Sequence, residues 1–210
     1  MSNGQRDPLA VFVVDDDRAV RDSLALMLGL GGYRTALFAD AEAFLHAHRD
    51  EWAGCVVADL RLPGRSGVEL QAELRARGSA LPFVIITAHG DVPTARAAFQ
   101  AQAVDFLEKP FDDAQLRAAI ETAFAIEERR IQHTHARRSD ADRLAKLTAR
   151  ERQVLDYAAK GLHAKEIGAA LGISSRTVEV HKTRIMAKLA VRNVAELVRF
   201  APASETPPER

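Results

Sequence analysis

Residues 54–70 read GCVVADLRLPGRSGVEL. The first part, GCVVADL (54–60), is an apolar run of strand length that carries a carboxylate, Asp59, near its end. Pro63-Gly64 marks a turn, and Ser66-x-x-Glu69 is a capping-box pattern that opens a helix. Strand, turn and helix in succession are the beginning of a βα unit. Working outward, similar apolar runs stand at AVFVVD (10–15), LPFVIIT (81–87) and AVDFLEK (103–109), with a weaker one at YRTALF (33–38). Helix patterns alternate with them. Val20, Leu24 and Leu28 recur at a four-residue step with Met27 on the same face. A further helix is expected to open near Asp91 with Pro93 in its first turn, and the last begins at Asp112 with Gln115 three residues on. This alternation predicts an α/β domain with a doubly wound, five-stranded parallel sheet covered on both faces.

The remainder is different. Residues 126–143 are polar, mixed in charge and without proline or glycine, and read as the last helix of the α/β domain running on into an exposed, partly helical linker. His133 and His135 in this stretch could suggest a metal site, but solvated side chains are the expectation. From 147 to 200 the pattern is helical throughout. Thr148-x-x-Glu151 is a second capping box, and Gly161 is a C-terminal stop. A short helix over 163–173 ends at Gly172, Ser174 and Ser175 cap a third helix, and a fourth runs from about Asn193 to Phe200. Residues 203–210 read as a disordered tail. The organisation expected is therefore 1–125, 126–143, 144–202 and 203–210, with a small all-α four-helix domain following the α/β domain.

Charge divides the chain in the same way. The formal net charge of the 210 residues is zero. Residues 1–125 nevertheless carry a net −6 and residues 144–200 a net +6, which points to two domains with different partners. The single cysteine, Cys55, lies in an apolar run and is expected to be a small buried hydrophobe. No stretch approaches the roughly 20 apolar residues that span a bilayer. With no signal-peptide pattern either, a cytoplasmic protein without a membrane partner is expected.

In a doubly wound sheet, functional groups gather beyond the carboxyl ends of the strands. Asp15, Asp16 and Asp17 end the first predicted strand, Asp59 the third, Thr87 the fourth and Lys109 the fifth. Clustered carboxylates repel one another unless a cation intervenes. Oxygen donors alone suit a hard ion such as Mg²⁺. A carboxylate nucleophile beside such an ion can accept a phosphoryl group, and a nearby hydroxyl and ammonium can bind the new phosphate oxygens.

VVDDD, VVADLRLPGRSG, ITAHGD and DFLEKPF resemble the motifs of receiver domains, in particular FixJ-type receivers, over nearly all of residues 10–125. The resemblance implies phosphorylation of Asp59 by a sensor histidine kinase. It implies Mg²⁺ held by Asp15, Asp16, Asp59 and the main-chain carbonyl of Arg61. Thr87 matches the switch hydroxyl, Phe106 the aromatic switch and Lys109 the phosphate-binding ammonium, with a cis Lys109–Pro110 bond. Arg61 and His89 fall at positions that tune acyl-phosphate lifetime. Asp17 is an additional acid with no role assigned.

In HAKEIGAALGISSRTVEVHKTRIMAKL, Ala164, Ile167 and Leu171 share one face. Val178, Ile185 and Leu189 share a face of the next helix, whose opposite side, Arg176, Glu179, Lys182, Thr183, Arg184 and Lys188, is expected to be exposed. Residues 147–189 resemble the LuxR/NarL-type helix-turn-helix. That resemblance implies double-stranded DNA as partner, with base contacts at Glu179, Val180 and Thr183. Phosphate contacts are implied at Thr177, His181, Lys182 and Arg184, and Arg176 belongs to the same basic face. The whole is thus similar to a two-component response regulator of the FixJ/NarL family. This implies a phosphorylation-controlled transcription factor, not an enzyme, that dimerises on phosphorylation and activates through RNA polymerase. Two other readings stay open: a phosphate-handling α/β enzyme, for which no GxxxxGK[ST] is present, and a constitutive DNA binder with a vestigial receiver.

Overall fold

The computed structural model describes residues 9–88 and 103–200, and the chain divides into two compact units, residues 1–131 and 132–210. The helix expected near Asp91 and Pro93, His89 and the tail 203–210 lie outside the described residues.

In the first unit, β1 (Ala10–Val14), β2 (Arg34–Phe38), β3 (Gly54–Asp59), β4 (Phe83–Thr87) and β5 (Asp105–Glu108) form one sheet in the order β2-β1-β3-β4-β5. Every pairing is parallel. Alternation along the strands sorts the core into two layers. Phe12, Val14, Val56, Ala58, Phe83 and Ile85 pack on one face, with α2 (Ala41–Ala47) and α3 (Gly67–Ala76) supplying Phe44, Leu70 and Leu74. Val11, Val13, Cys55, Val57, Val84 and Ile86 pack on the other, against Leu24 and Leu28 of α1 (Arg18–Leu30) and Leu116 and Ile120 of α4 (Asp113–Ala145). Each fully buried side chain of this size contributes about 1.5–3 kcal/mol. Cys55 is buried as expected, and burial pushes its thiol well up, so it is a packing group here.

Caps set the helix starts. Ser66 and Glu69 form the reciprocal box of α3, and Asp112 and Gln115 exchange bonds of 2.8 and 3.0 Å before α4. Asp17, given no role by the sequence, N-caps α1 by accepting from Ala19 N at 2.7 Å. The helix α2 was not apparent as a pattern. It is only seven residues long, and its signature is a single cap, Asp40 accepting from Ala43 N.

The helix expected to run on into the linker does so, and it goes further than expected: α4 is helical without interruption from Asp113 to Ala145. With no proline or glycine to break it, pairs such as Arg117–Asp113 and Arg130–Glu127 support its length. His133 and His135 are exposed along it.

In the second unit, α5 (Ala149–Ala159), α6 (Ala164–Leu171) and α7 (Ser175–Leu189) enclose Val154, Leu155, Ile167, Val178, Ile185 and Leu189. The Thr148–Glu151 box caps α5, and Ser174 caps α7 by accepting from Thr177 N. The turn between α6 and α7 is tight: a Cβ on Gly168 would stand 2.6 Å from the Ile173 carbonyl oxygen. The fourth helix expected from Asn193 to Phe200 is instead a 3₁₀ segment, Val194–Phe200. Its three-residue turn brings Leu197 and Phe200 to the same core face, and Asn193 and Glu196 hydrogen-bond to each other across its start.

Candidate phosphoacceptor pocket and nucleic-acid interface

The strand order reverses at β1, whose neighbours are β2 and β3. Asp15 follows β1 and Asp59 closes β3, so both carboxylates stand at the crevice that this reversal creates. Lys109 reaches them from the end of β5. Its Nζ donates to Asp15 Oδ2 at 2.7 Å and to Asp59 Oδ2 at 2.5 Å. Asp15 is 1% exposed and Asp59 8%. Main chain supplies the other bonds: Asp17 N donates to Asp15 Oδ1 at 2.9 Å and Arg61 N to Asp59 Oδ1 at 2.8 Å. Arg21 Nη1 adds a bond to the Asp15 carbonyl at 2.6 Å, a contact that sequence reading did not foresee. Its only signal is a basic residue one turn into the helix that follows the acids.

Burial holds the Asp15 carboxyl above its ordinary value, outweighing the bonds from Lys109 and Asp17, and the charge of Asp59 pushes the same way. For Lys109, burial alone would lower the ammonium; the bonds to Asp15 and Asp59 win and leave it raised. Thr87 is buried at the end of β4, and its carbonyl accepts from Lys109 N at 2.7 Å. The Lys109–Pro110 bond is cis. Phe106 is half-buried against the core layer that holds Ile85. Arg61 is exposed.

Two of the three aspartates share one partner. Asp15 and Asp59 converge on Lys109, whereas Asp16 is exposed, and among the described residues no group of three His, Cys, Asp or Glu side chains is placed to hold a metal. Two carboxylates against one ammonium nevertheless leave an excess negative charge in a buried place. The donors are oxygen only. That combination fits a hard divalent cation, which would offset the excess.

On the second unit, Arg176, Thr177, Glu179, Val180, Thr183 and Arg184 line the exposed side of α7. His181 is half-buried, with Nδ1 enclosed and without a hydrogen-bond partner among the described residues. Two residues depart from the expected exposed face. Lys182 is only 8% exposed, and its Nζ bonds Glu179 Oε1 at 3.2 Å. Lys188 bonds the buried Glu151 of α5 at 2.6 Å. The helical repeat turns Lys182 partly toward the core, and a carboxylate from another helix holds Lys188. Neither partner choice is visible from residue type alone.

The family described as "Response regulator receiver domain" matches residues 11–121, and "Bacterial regulatory proteins, luxR family" matches residues 145–201. The chain belongs to the response regulators, joining a receiver to a LuxR-type helix-turn-helix domain. It is 44% identical over 191 residues to the transcriptional regulatory protein FixJ of Bradyrhizobium diazoefficiens, covering 91% of this chain and 93% of that one. Among solved structures, the response regulator StyR is similar with a TM-score of 0.81 at 43% identity, covering 90% of this chain and 96% of StyR. Full-length FixJ from B. japonicum is similar with a TM-score of 0.58 at 43% identity, covering 91% of this chain and 95% of that structure.

Proposed function

We propose that this chain is a phosphorylation-controlled transcription factor. A sensor histidine kinase transfers a phosphoryl group to Asp59, and that event controls sequence-specific binding of double-stranded DNA through α7. Activation through RNA polymerase is the outcome. The observation that carries the reading is the triple of Asp15, Lys109 and Asp59 at the reversal of the sheet, in one chain with an exposed helix-turn-helix face. In domain terms, 1–125 is the receiver, 126–143 the linker, 144–202 the DNA-binding domain and 203–210 a tail. The protein works in the cytoplasm as a phosphoacceptor, not as an enzyme that turns over a small substrate. Among the described residues no helix is long and apolar enough to cross a membrane.

The chemistry follows from the groups present. An Asp59 oxygen attacks phosphorus as the phosphohistidine N–P bond breaks, and the electron pair stays on the histidine nitrogen. Asp59 becomes an acyl phosphate. Lys109 keeps its proton throughout and pairs with the new phosphate oxygens as it now pairs with Asp59. Thr87 donates its hydroxyl to the phosphate, and Phe106 turns toward the space that Thr87 leaves. Asp15, Asp59 and the Arg61 carbonyl would hold Mg²⁺, with the exposed Asp16 turning in to join them, and the ion supplies charge neutralisation for the transfer when bound. The change biases a two-state receiver toward a form that dimerises. Two helix-turn-helix units then read paired half-sites, since one such module buries little surface.

Incubation with acetyl phosphate and Mg²⁺ is expected to label the wild-type chain and leave Asp59→Asn unlabelled. Affinity for DNA selected from a random pool is expected to rise with labelling, together with a shift to dimer in sedimentation. Labelling that survives Asp59→Asn refutes the acceptor assignment. A phosphorylated protein that stays monomeric with unchanged DNA affinity refutes the coupling.

A further inference from the structure

We infer that Lys182 is a positioning residue for DNA specificity: it anchors Glu179 so that this carboxylate reads a cytosine, and it does not itself contact phosphate. The inference rests on the reading of α7 as the DNA-binding helix and goes further by assigning a residue and a base.

The argument begins with where the two side chains end. The Lys182 side chain is 10% exposed and that of Glu179 62%. Between them runs a 3.2 Å bond from Lys182 Nζ to Glu179 Oε1, one turn apart on α7. A lysine that grips a phosphate extends its ammonium into solvent. Here the stem is packed and the ammonium is occupied, so reaching outward would forfeit both. Arg176 and Arg184, by contrast, are exposed on the same helix and remain available for phosphates.

The pair does two things for Glu179. It offsets a negative charge that DNA phosphates would repel. It also restrains the carboxylate through Oε1, while Oε2 carries no bond among the described residues and can accept one. Glu179 lies in the N-terminal half of α7, the end of a recognition helix that approaches base edges. In the major groove a carboxylate accepts from the cytosine N4 amino group, whereas the acceptors of guanine repel it. Next to it, Val180 is 44% exposed and offers apolar surface that suits a thymine methyl group. Thr183 Oγ1 is turned back onto the Glu179 carbonyl at 3.0 Å, which leaves its oxygen as an acceptor. The half-site is therefore expected to contain a cytosine read by Glu179 beside a thymine met by Val180.

The test uses the full-length phosphorylated protein. DNA is selected from a random pool, and affinity for the chosen site and its single-base variants is followed over a salt series. Wild type is expected to prefer cytosine at one base pair per half-site by about tenfold. Glu179→Gln loses that preference. Lys182→Met keeps the packed stem but loses most of the same preference, with other positions unaffected, and Lys182→Arg retains it. In the Glu179→Gln background, Lys182→Met changes preference no further. If Lys182→Met instead weakens every sequence equally, in either background, and reduces the salt slope by about one per subunit, Lys182 is a phosphate contact and the inference is overturned. Unchanged preference in Lys182→Met overturns it as well. If Glu179→Gln leaves every preference intact, the assignment of Glu179 as a base contact fails and the inference with it. Absence of any selected site would instead refute DNA binding itself.

Discussion

Lys109 Nζ stands 2.5 Å from Asp59 Oδ2, although fifty residues separate them in the chain. The same ammonium is 2.7 Å from Asp15 Oδ2, so one cation serves two buried carboxylates. Removing it strands both. In a chelator, Lys109→Met is expected to cost about 3 kcal/mol in urea unfolding. Asp59→Asn removes one of two repelling charges and is expected to stay within about 1 kcal/mol of the unaltered protein. Equal losses in the two variants would contradict this account of the pocket.

Gly67 opens α3 where a Cβ would lie 2.5 Å from the Asp59 carbonyl oxygen and 3.4 Å from Ile85 Cδ1. Backbone cannot yield as a flexible side chain does. Gly67→Ala is expected to destabilise by about 2 kcal/mol and to displace Asp59. Slower labelling by acetyl phosphate, measured beside the urea midpoint, checks both effects.

Glu151 is buried between α5 and α7. Burial would raise its carboxyl, but the bonds from Lys188 Nζ at 2.6 Å and Thr148 N at 2.8 Å outweigh it and leave the group below its ordinary 4.5. A carboxyl depressed in the folded state contributes stability above its unfolded value and loses it as pH falls through the folded one. Protection of α5 and α7 amides in hydrogen exchange is therefore expected to fall as the pH drops below about 4.5. Glu151→Gln should flatten that dependence. An unchanged slope in the variant would assign the acid sensitivity elsewhere.

Ala190 ends α7 with φ 54° and ψ 46°, a left-handed conformation that costs an L-residue about 1–2 kcal/mol. Its N–H bonds the Met186 carbonyl, and Val191 N bonds the same oxygen at 3.1 Å. Glycine adopts this geometry without the penalty. Ala190→Gly is expected to stabilise the helical unit by about 1 kcal/mol, seen as a higher thermal midpoint.

The five strands were legible because short apolar runs and their breakers are local signals, and the observed strands lie inside the quoted stretches. The capping boxes at Ser66 and Thr148 were legible for the same reason: a cap spans four residues. Short or tightly wound elements were harder. The seven residues of α2 offer too few turns for a periodic pattern, and Leu197 and Phe200 suit a 3₁₀ turn as well as an α-helix. In the site, the acids, Thr87 and Lys109 were visible as strand-end residues, but Asp17 proved to be a helix cap and Asp16 is exposed.

By itself, then, the amino-acid order determined the five strands, most of the helices and the residues that cap them. Those properties depend on neighbours a few positions away. The tertiary structure decided that Asp15 and Asp59, but not Asp16, share Lys109, and that Lys182 and Lys188 turn to Glu179 and Glu151 instead of outward. Crossovers and helix packing bring together groups up to 94 residues apart, and only there is it settled which charge finds which partner.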